Sequence, residues 1–357
     1  MRFALSEDQT LLQDSLKRAL GDLSPLERVR KFADGGEATA PDVWAGLSEL
    51  GLPGLLVPEE HGGLGLGLLE AALAAEALGR VVAPTPFLGS AVLAPLALKL
   101  AGTDEQKRAW LPKLAAGEVT AGAAISEPIA GARDGAGVSA EGGKLTGKAL
   151  FALDAVDAGL LVVADRAGAL HLATGADGTE ALPGIDATRR LSELTFRGRA
   201  AEALASNQAL ERLRDAAWVM LAADTLGACQ AMLDKAVAYA KERKQFGRTI
   251  GSFQAVKHLC AEMAAELEPA RALVWYAAYA FDNAPDEAPL MAAHAKAHTS
   301  EIGRFIARTA TEVHGGIGMT DLLGLHYWFK RIGQNRQLLG GPEKVREIAA
   351  RMQGLAA

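Results

Sequence analysis

A basic segment at residues 241–247, KERKQFG, has the residue types and spacing for anion chemistry. It ends a long helical pattern, and arginine offers planar, bidentate donors that match the geometry of a phosphate. Cations at a helix C-terminus are also favoured by the helix dipole, so simple helix capping explains the same residues. A second segment, HGGIG at residues 314–318, follows another long helical pattern. The two segments together are the first candidates for a functional site.

Three other patterns predict less. HGGLGLG at residues 61–67 lacks the G-x-G-x-x-G spacing of a dinucleotide-binding turn, and the preceding LLVP is too short a context for a βαβ unit. His294 and His298 are four residues apart on a helix, but a third metal ligand is missing, so we expect a solvated or subunit-facing surface and no metal. Cys260 lies in an apolar stretch without a neighbouring base, which predicts a core residue.

Composition and charge limit the class of protein. The chain has 357 residues, half of them hydrophobic, which is enough for two or three packed units. A net charge of -6 and the lack of a basic patch interleaved with aromatics argue against a nucleic-acid partner. The polar N-terminus and the lack of a run of about 20 apolar residues predict a cytoplasmic protein without a membrane span. The two cysteines suit a reducing compartment and exclude a four-cysteine zinc site.

The periodicity of apolar residues changes twice along the chain. Helical spacing dominates residues 1–115, short runs separated by glycine-rich turns occupy residues 116–205, and long helical patterns return over residues 206–357. We therefore predict an α+β, mainly α, protein with an N-terminal helical domain, a middle β domain and a C-terminal helical domain. The last helices are too apolar to stand alone, which predicts a bundle whose faces continue into other subunits.

Four motifs occur in a particular order: PEEHGG at 58–63, ISEP at 125–128, KERKQFGRTIGSFQAVKH from residue 241 and HGGIGMT from residue 314. This series resembles the acyl-CoA dehydrogenase family over nearly the whole chain. The resemblance implies a C-terminal four-helix bundle and a tetramer with FAD between two subunits. It also implies removal of a proton and a hydride from an acyl-CoA, with a carboxylate base, the flavin N5 and an electron-transfer protein or other acceptor.

In this family one subunit holds the flavin ring and its neighbour holds the ADP end of FAD. By resemblance, the ADP end is assigned to five residues, namely Arg243 for the phosphates, Phe246 against the cofactor, Gln254 as an amide partner, and Gly315 with Gly316 for close backbone approach. Glu312 departs from the family, which commonly has glutamine there. A carboxylate so placed would repel a pyrophosphate unless it points away.

The residues that resemble the ring-holding half differ more from the family. Ser126 matches the family's Ser/Thr and is assigned to the cofactor, but Arg133 replaces an aspartate in the following turn. Phe151 stands in place of the tryptophan that covers the flavin, and Leu153 in place of a hydrogen-bonding threonine. Each polar group that a buried ring would leave unpaired costs about 1 to 3 kcal/mol.

The catalytic base of the family is replaced at both of its known positions. The usual glutamate after the last bundle helix falls at Leu339 or Gly340, and the alternative glutamate at the start of the third region falls at Ala217. Glu211 and Asp215 are the nearest candidates for a displaced base, with Asp224 and Glu343 as further acids in the region. The alternative interpretation of all four acids is that they are solvated surface residues or helix caps.

Three hypotheses follow. The first resembles an α2β2 bacterial acyl-CoA dehydrogenase, in which this chain lacks the base and supplies the ADP-binding half of a partner's FAD site. The second is a self-sufficient homotetramer with Glu211 or Asp215 as an unconventional base. The third is a structural or CoA-binding subunit without flavin.

Overall fold

The computed structural model describes residues 4–205 and 209–356, beginning with a helical region. Ser6 and Thr103 each form a capping box with a glutamine three residues later, which fixes where α1 and α6 begin. A π-helical turn at Leu88–Leu93 leads directly into α5. The helices of this region are α1 (Glu7–Leu23), α2 (Leu26–Gly35), α3 (Pro41–Glu49), α4 (Leu68–Arg80), α5 (Ala94–Ala101) and α6 (Asp104–Ala115).

The middle region is an eight-stranded sheet with one short helix. Its strands are β1 (Ala121–Ala124), β2 (Gly137–Glu141), β3 (Lys144–Leu153), β4 (Leu160–Ala164), β5 (Leu170–Ala173), β6 (Gly178–Leu182), β7 (Leu191–Ala200) and β8 (Glu202–Ala203), with α7 (Ser126–Ala130) after β1. The strand order is β6-β7-β3-β1-β4-β5-β8, and β2 pairs with β3 outside this path. The β1–β4 pair is parallel and the other pairs are antiparallel.

Alternation along the strands produces two apolar layers, because successive side chains point to opposite faces. Leu160 and Val162 pack into the large core shared with the helices, whereas Leu161 and Val163 join a second cluster on the other face. The middle region is therefore fastened to the helices through one face of its sheet.

The C-terminal region consists of long helices. They are α8 (Ala209–Glu242), α9 (Gln254–Asn283), α10 (Ala288–His314), α11 (Leu325–Gln337) and α12 (Pro342–Met352), and a small hairpin of β9 (Lys244–Gln245) and β10 (Arg248–Thr249) connects α8 to α9. Among the described residues, α8 alone is long and apolar enough to cross a membrane, and 94% of its most apolar window is buried inside the molecule. Such burial is typical of the central helix of a bundle.

A buried ionic network connects the middle region to the bundle. Arg331 of α11 is 1% exposed, and its guanidinium donates to Asp186 at 2.5 Å, to Asp224 of α8 at 3.1 Å and to Thr188 Oγ1 at 2.6 Å. Arg189 donates to Asp224 as well, at 3.1 Å. Buried charges of both signs thus compensate one another where the sheet meets α8 and α11.

The structure confirms the predicted fold class and its order of helical, β and helical regions. The predicted boundary between residues 205 and 206 lies beside residues 206–208, which are outside the described residues. The interpretation of all four acids as surface residues or caps is wrong for Asp224. Its side chain is 4% exposed because it neutralises Arg331 and Arg189.

Candidate functional site

The basic segment forms an exposed hairpin at the end of α8. Phe246 and Gly247 make its turn with φ values of 52° and 75°, as in the tight turns that join antiparallel strands. Phe246 is 91% exposed. Arg243 is exposed, and among the described residues its guanidinium has no hydrogen bond or ion pair. The hairpin therefore presents a cation and an aromatic ring whose faces are open to a ligand.

The paired glycines lie where α10 ends. Gly315 has φ 62° and ψ -145°, a conformation that favours glycine, and a Cβ added at Gly315 or Gly316 would meet no atom within 4 Å. Glu312 is exposed at the surface of the same helix end. The space above the two glycines is free for a ligand to approach the backbone.

A ring contact brings the two segments together. Tyr239 of α8 stacks on His314 of α10 with ring centroids 4.8 Å apart, and His314 Nδ1 donates to the carbonyl of Ala310 at 2.7 Å. Burial lowers the pKa of His314, so its ring is held in the neutral form. Since Arg243 follows Tyr239 by one helical turn and Gly315 follows His314 directly, the contact places both segments at the same end of the bundle.

Gln254 begins α9 beside the hairpin. The rings of Phe246 and Phe253 meet edge to face at 6.2 Å, which holds the start of α9 near the turn. The Gln254 side chain is exposed, and its amide lies 3.3 Å from His258 Nε2. All five residues assigned to the ADP end are thus exposed in one part of the molecule.

A cavity of about 710 Å³ collects the residues assigned to the ring-holding half. It lies between the sheet, α7 and the segment after α11, and its walls include Ser126, Phe151, Leu339 and Gly340. Ser126 Oγ donates to the carbonyl of Phe151 at 3.2 Å. Leu153 is 1% exposed and packs into the core rather than against this cavity.

The two segments in which the sequence predicts a replaced base meet beside this cavity. Trp218, which follows the buried Ala217, donates its indole N–H to the carbonyl of Leu339 at 2.8 Å. Leu339 and Gly340 have φ values of 56° and 104°, so the backbone bends sharply here. Leu339 has an aliphatic side chain and Gly340 has none, so neither residue offers the cavity a group that accepts a proton.

The two acids considered as displaced bases lie away from this cavity. Glu211 is exposed on α8. Asp215 is 1% exposed, so its interpretation as a surface residue is wrong; Arg214 donates twice to its Oδ1, and its Oδ2 has no partner among the described residues. Burial raises the pKa of Asp215 to about 6. Neither acid lines the 710 Å³ cavity.

Sequence reasoning missed the acid that does line the cavity, Glu127. It is 8% exposed, its Oε1 accepts the backbone N–H of Leu150, and burial raises its pKa. The available signal was its place beside Ser126 in the ISEP motif. Arg133 also lines the cavity, with its guanidinium 5.0 Å from the centre of the Phe151 ring. This cation covers part of the Phe151 ring, which stands in place of the tryptophan that covers the flavin in the family.

His294, His298 and Cys260 are the remaining candidates from the sequence. His294 is half-buried and His298 exposed, and no group of three possible metal ligands occurs in residues 4–205 and 209–356. Cys260 is partly buried against the core, and burial raises the pKa of its thiol.

Comparisons with known proteins agree with the motifs. The acyl-CoA dehydrogenase N-terminal domain matches residues 6–118, and the acyl-CoA dehydrogenase C-terminal domain matches residues 206–353. Acyl-CoA dehydrogenase IpdE2 of Mycolicibacterium smegmatis is 32% identical over 97% of this chain and 99% of its own length. The chain belongs to the acyl-CoA dehydrogenase family, and it is an oxidoreductase that acts on acyl-CoA.

Two solved structures of named protein pairs share the fold over their whole length. The Tcur3481–Tcur3483 steroid acyl-CoA dehydrogenase variant has a TM-score of 0.88 and 29% identity, covering 98% of each chain. The ChsE4–ChsE5 complex from Mycobacterium tuberculosis has a TM-score of 0.90 and 25% identity, covering all of each chain. Members of the family bind FAD, and one similar structure of lower identity contains FAD and proline.

Proposed function

We propose that this chain is one subunit of an α2β2 acyl-CoA dehydrogenase, in which it supplies the ADP-binding half of a partner's FAD site and lacks a catalytic base of its own. One observation carries this proposal, namely the contrast between its two half-sites. The Arg243 and Gly315 end is open and unpaired, whereas the 710 Å³ cavity has Leu339 and Gly340 where the family has its base.

The ADP end fits a dinucleotide by its chemistry. Arg243 has free donors for a pyrophosphate, and the backbone at Gly315 and Gly316 is approachable because no side chain occupies the space above it. Glu312 is exposed, which lets its carboxylate turn towards solvent. FAD, when bound, would accept the hydride. The residues of this chain would hold the phosphate end of that FAD, and the partner subunit would hold its flavin ring.

The cavity fits a flavin ring less well. Ser126 already donates to Phe151, Leu153 offers no polar atom to it, and Arg133 covers Phe151. Loss of a positioned base alone lowers turnover by about 100- to 10,000-fold. These features support a division of labour between two homologous chains. Two similar solved structures each name a pair of proteins, which agrees with a complex of two different chains. We further propose a cytoplasmic complex that passes electrons to an electron-transfer protein or another acceptor.

The test compares the chain alone with the chain co-expressed with the homologous product of a neighbouring gene. Flavin per subunit is measured by visible absorbance, and turnover is measured with a panel of acyl-CoA esters and an artificial acceptor. We expect the lone chain to hold little flavin and to be inactive, and the complex to hold flavin and turn over. Full flavin occupancy and normal turnover in the lone chain would contradict the proposal.

A second arm addresses the homotetramer, because Glu127 places a carboxyl in the cavity. If the lone chain is active and Glu127→Gln abolishes turnover while Glu211→Gln does not, Glu127 is the unconventional base. If the complex is active and neither substitution in this chain changes its turnover, the base belongs to the partner.

A further inference from the structure

A separate cavity of about 280 Å³ lies between the α1–α2 turn, α8 and the first turn of α11. Its walls include Ser24, Leu26, Arg80, Lys235 and Trp328, and it shares no lining residue with the 710 Å³ cavity. None of its lining residues is among those assigned above to the FAD site. Three independent features of its wall present unpaired donors.

The first feature is the Ser24 hydroxyl. Ser24 follows α1 and donates its backbone N–H to Leu20 at 3.0 Å, but among the described residues its Oγ has no partner. The residue is only 1% exposed. A buried hydroxyl without a partner costs about 1 to 3 kcal/mol, so a ligand that bonds to it gains that energy back.

The second feature is the N-terminus of α2, a helix of ten residues. Pro25 is its N-cap and makes no side-chain cap hydrogen bond, and the first backbone bond of the helix runs from Val29 N–H to the Pro25 carbonyl at 3.1 Å. The backbone N–H groups of Leu26 and the next two residues therefore have no partner within the helix. Unpaired N–H groups and the positive end of the helix dipole favour an anion at this position.

The third feature is the ammonium group of Lys235. It lies 4.6 Å from the centre of the Trp328 ring, and no carboxylate of residues 4–205 or 209–356 comes within ion-pair distance of it. Burial lowers the pKa of Lys235, as expected for a cation without a counter-ion. The indole is fixed, since its N–H donates to the carbonyl of Arg80 at 2.9 Å.

The acidic residue in the cavity wall is already neutralised. Asp234 accepts from Arg80 at 2.6 Å and from the amide of Gln230 at 2.9 Å. Glu27, in the first turn of α2, is exposed and is not among the residues that line the cavity. Lys235, Ser24 and Leu26 at the start of α2 thus line a cavity in whose wall no free carboxylate balances the ammonium group.

We propose that this cavity is a binding site for a small oxyanion, a phosphate or carboxylate group, held by Lys235, the Ser24 hydroxyl and the first N–H groups of α2. Its volume is just below the range of about 300 to 1,000 Å³ found for drug-sized ligands, which favours a small anion. The site is distinct from Arg243, the other free cation proposed above to meet a phosphate.

The experiment titrates the purified full chain with inorganic phosphate and, separately, with succinate, using calorimetry at constant ionic strength. Saturable binding of either anion is expected, and the anion that binds more tightly identifies the group. Lys235→Met keeps the apolar stem against Trp328 and Ser24→Ala keeps the backbone. Each is expected to raise the Kd at least about tenfold, which is about 1.4 kcal/mol.

Lys99→Met is the matched control, because Lys99 is exposed on α5 and lines none of the described cavities. Arg243→Gln separates this site from the ADP end. The proposal is overturned if neither anion saturates, if both cavity variants bind like the unaltered chain, or if Arg243→Gln alone abolishes binding. A variant that has lost its folded circular-dichroism spectrum is replaced by the other one, so that a result is obtained in either case.

Discussion

At the scale of single residues, the free guanidinium of Arg243 contrasts with the arginines that pair with carboxylates. Arg331 and Arg189 each meet carboxylates in the interior, and Arg28 forms ion pairs with two acids. Arg243 lies at the end of α8, and among the described residues all of its guanidinium donors are free. Any cation at this position would interact favourably with the helix dipole, so the dipole does not explain why an arginine is found here. An exposed guanidinium beside a phenylalanine that is 91% exposed indicates a ligand site more than a helix cap.

We expect Arg243→Gln to lower the flavin affinity of the proposed complex. A charge-assisted hydrogen bond contributes about 1.5 to 3 kcal/mol, which corresponds to a Kd raised about 10- to 100-fold. The measurement is fluorescence titration of FAD into apo-complex. Lys99→Gln changes an exposed cation on α5, outside this site, and should leave the Kd unaltered. Equal affinities in both variants would show that Arg243 is only a helix cap.

Asp215 provides a pH-dependent prediction. Burial raises its pKa to about 6 in the folded state, whereas the pKa in the unfolded state is about 4. Between about pH 4 and pH 6 the folded state therefore keeps a proton that the unfolded state has lost. Over that window the free energy of unfolding falls as pH rises. Above about pH 6 the loss of stability caused by ionised Asp215 stays constant. Asp215→Asn cannot ionise, so we expect the variant to gain stability over the unaltered protein by up to about 3 kcal/mol as pH rises from 4 to 6.

Urea unfolding at several pH values measures this difference. Desolvation also raises the pKa of Asp154 to about 6, but Asp154 is present in both proteins, so its effect cancels from the comparison. Glu211→Gln, on the same helix and exposed, is the control. If the difference in unfolding free energy between Asp215→Asn and the unaltered protein does not vary with pH, Asp215 does not have a raised pKa.

At the scale of secondary-structure elements, the candidate ADP end depends on how α8 and α10 finish together. Each segment alone is a turn after a helix. The stack of Tyr239 on His314 fixes the two turns relative to each other, and the hydrogen bond from His314 to Ala310 fixes the ring. The geometry of the site is therefore set by two helix ends rather than by the hairpin alone.

Tyr239→Leu should separate these ends while keeping an apolar side chain. We expect a stability loss of only about 0.5 to 1.5 kcal/mol, the usual contribution of an aromatic pair, but a clear loss of FAD affinity in the complex. Thermal unfolding and FAD titration measure the two effects. Tyr239→Phe keeps the ring and should behave like the unaltered chain. If Tyr239→Leu retains full affinity, the helix ends do not need this contact.

At the scale of the whole molecule, the Arg331 network joins the sheet to the bundle. Both Asp186 and Asp224 depend on this guanidinium, and all three side chains are nearly inaccessible to water. Removal of one partner from a buried ionic cluster leaves uncompensated charge in a medium of low polarity. The network therefore fixes how the middle region sits on α8 and α11.

Arg331→Met is expected to destabilise the chain by about 3 to 5 kcal/mol, because it removes the cation that pairs with the buried carboxylate of Asp186 and leaves Asp224 with Arg189 alone. Denaturant unfolding measures the effect. Arg304→Met is the matched control, since Arg304 is exposed and its ion pair with Glu301 is worth about 1 kcal/mol or less. Equal losses of unfolding free energy in the two variants would show that the buried network stabilises the protein no more than an exposed ion pair does.

The sequence by itself determined the order of regions and the family resemblance. Helical and strand periodicities are local properties, so the helical, β and helical layout was predictable from spacing alone. Motifs such as KERKQFG and HGGIG are likewise short and continuous. The prediction that Leu339 or Gly340 and Ala217 stand where the family has its base came from the same short motifs.

Only the tertiary structure decided which residues meet. Asp224 and Asp215 were interpreted as surface acids, yet both are buried, because burial depends on neighbours distant in sequence. The same holds for the contact of Trp218 with Leu339, for Glu127 in the 710 Å³ cavity and for the Ser24 and Lys235 pocket. Cavities and unpaired donors arise from long-range packing, and local spacing carries no information about them.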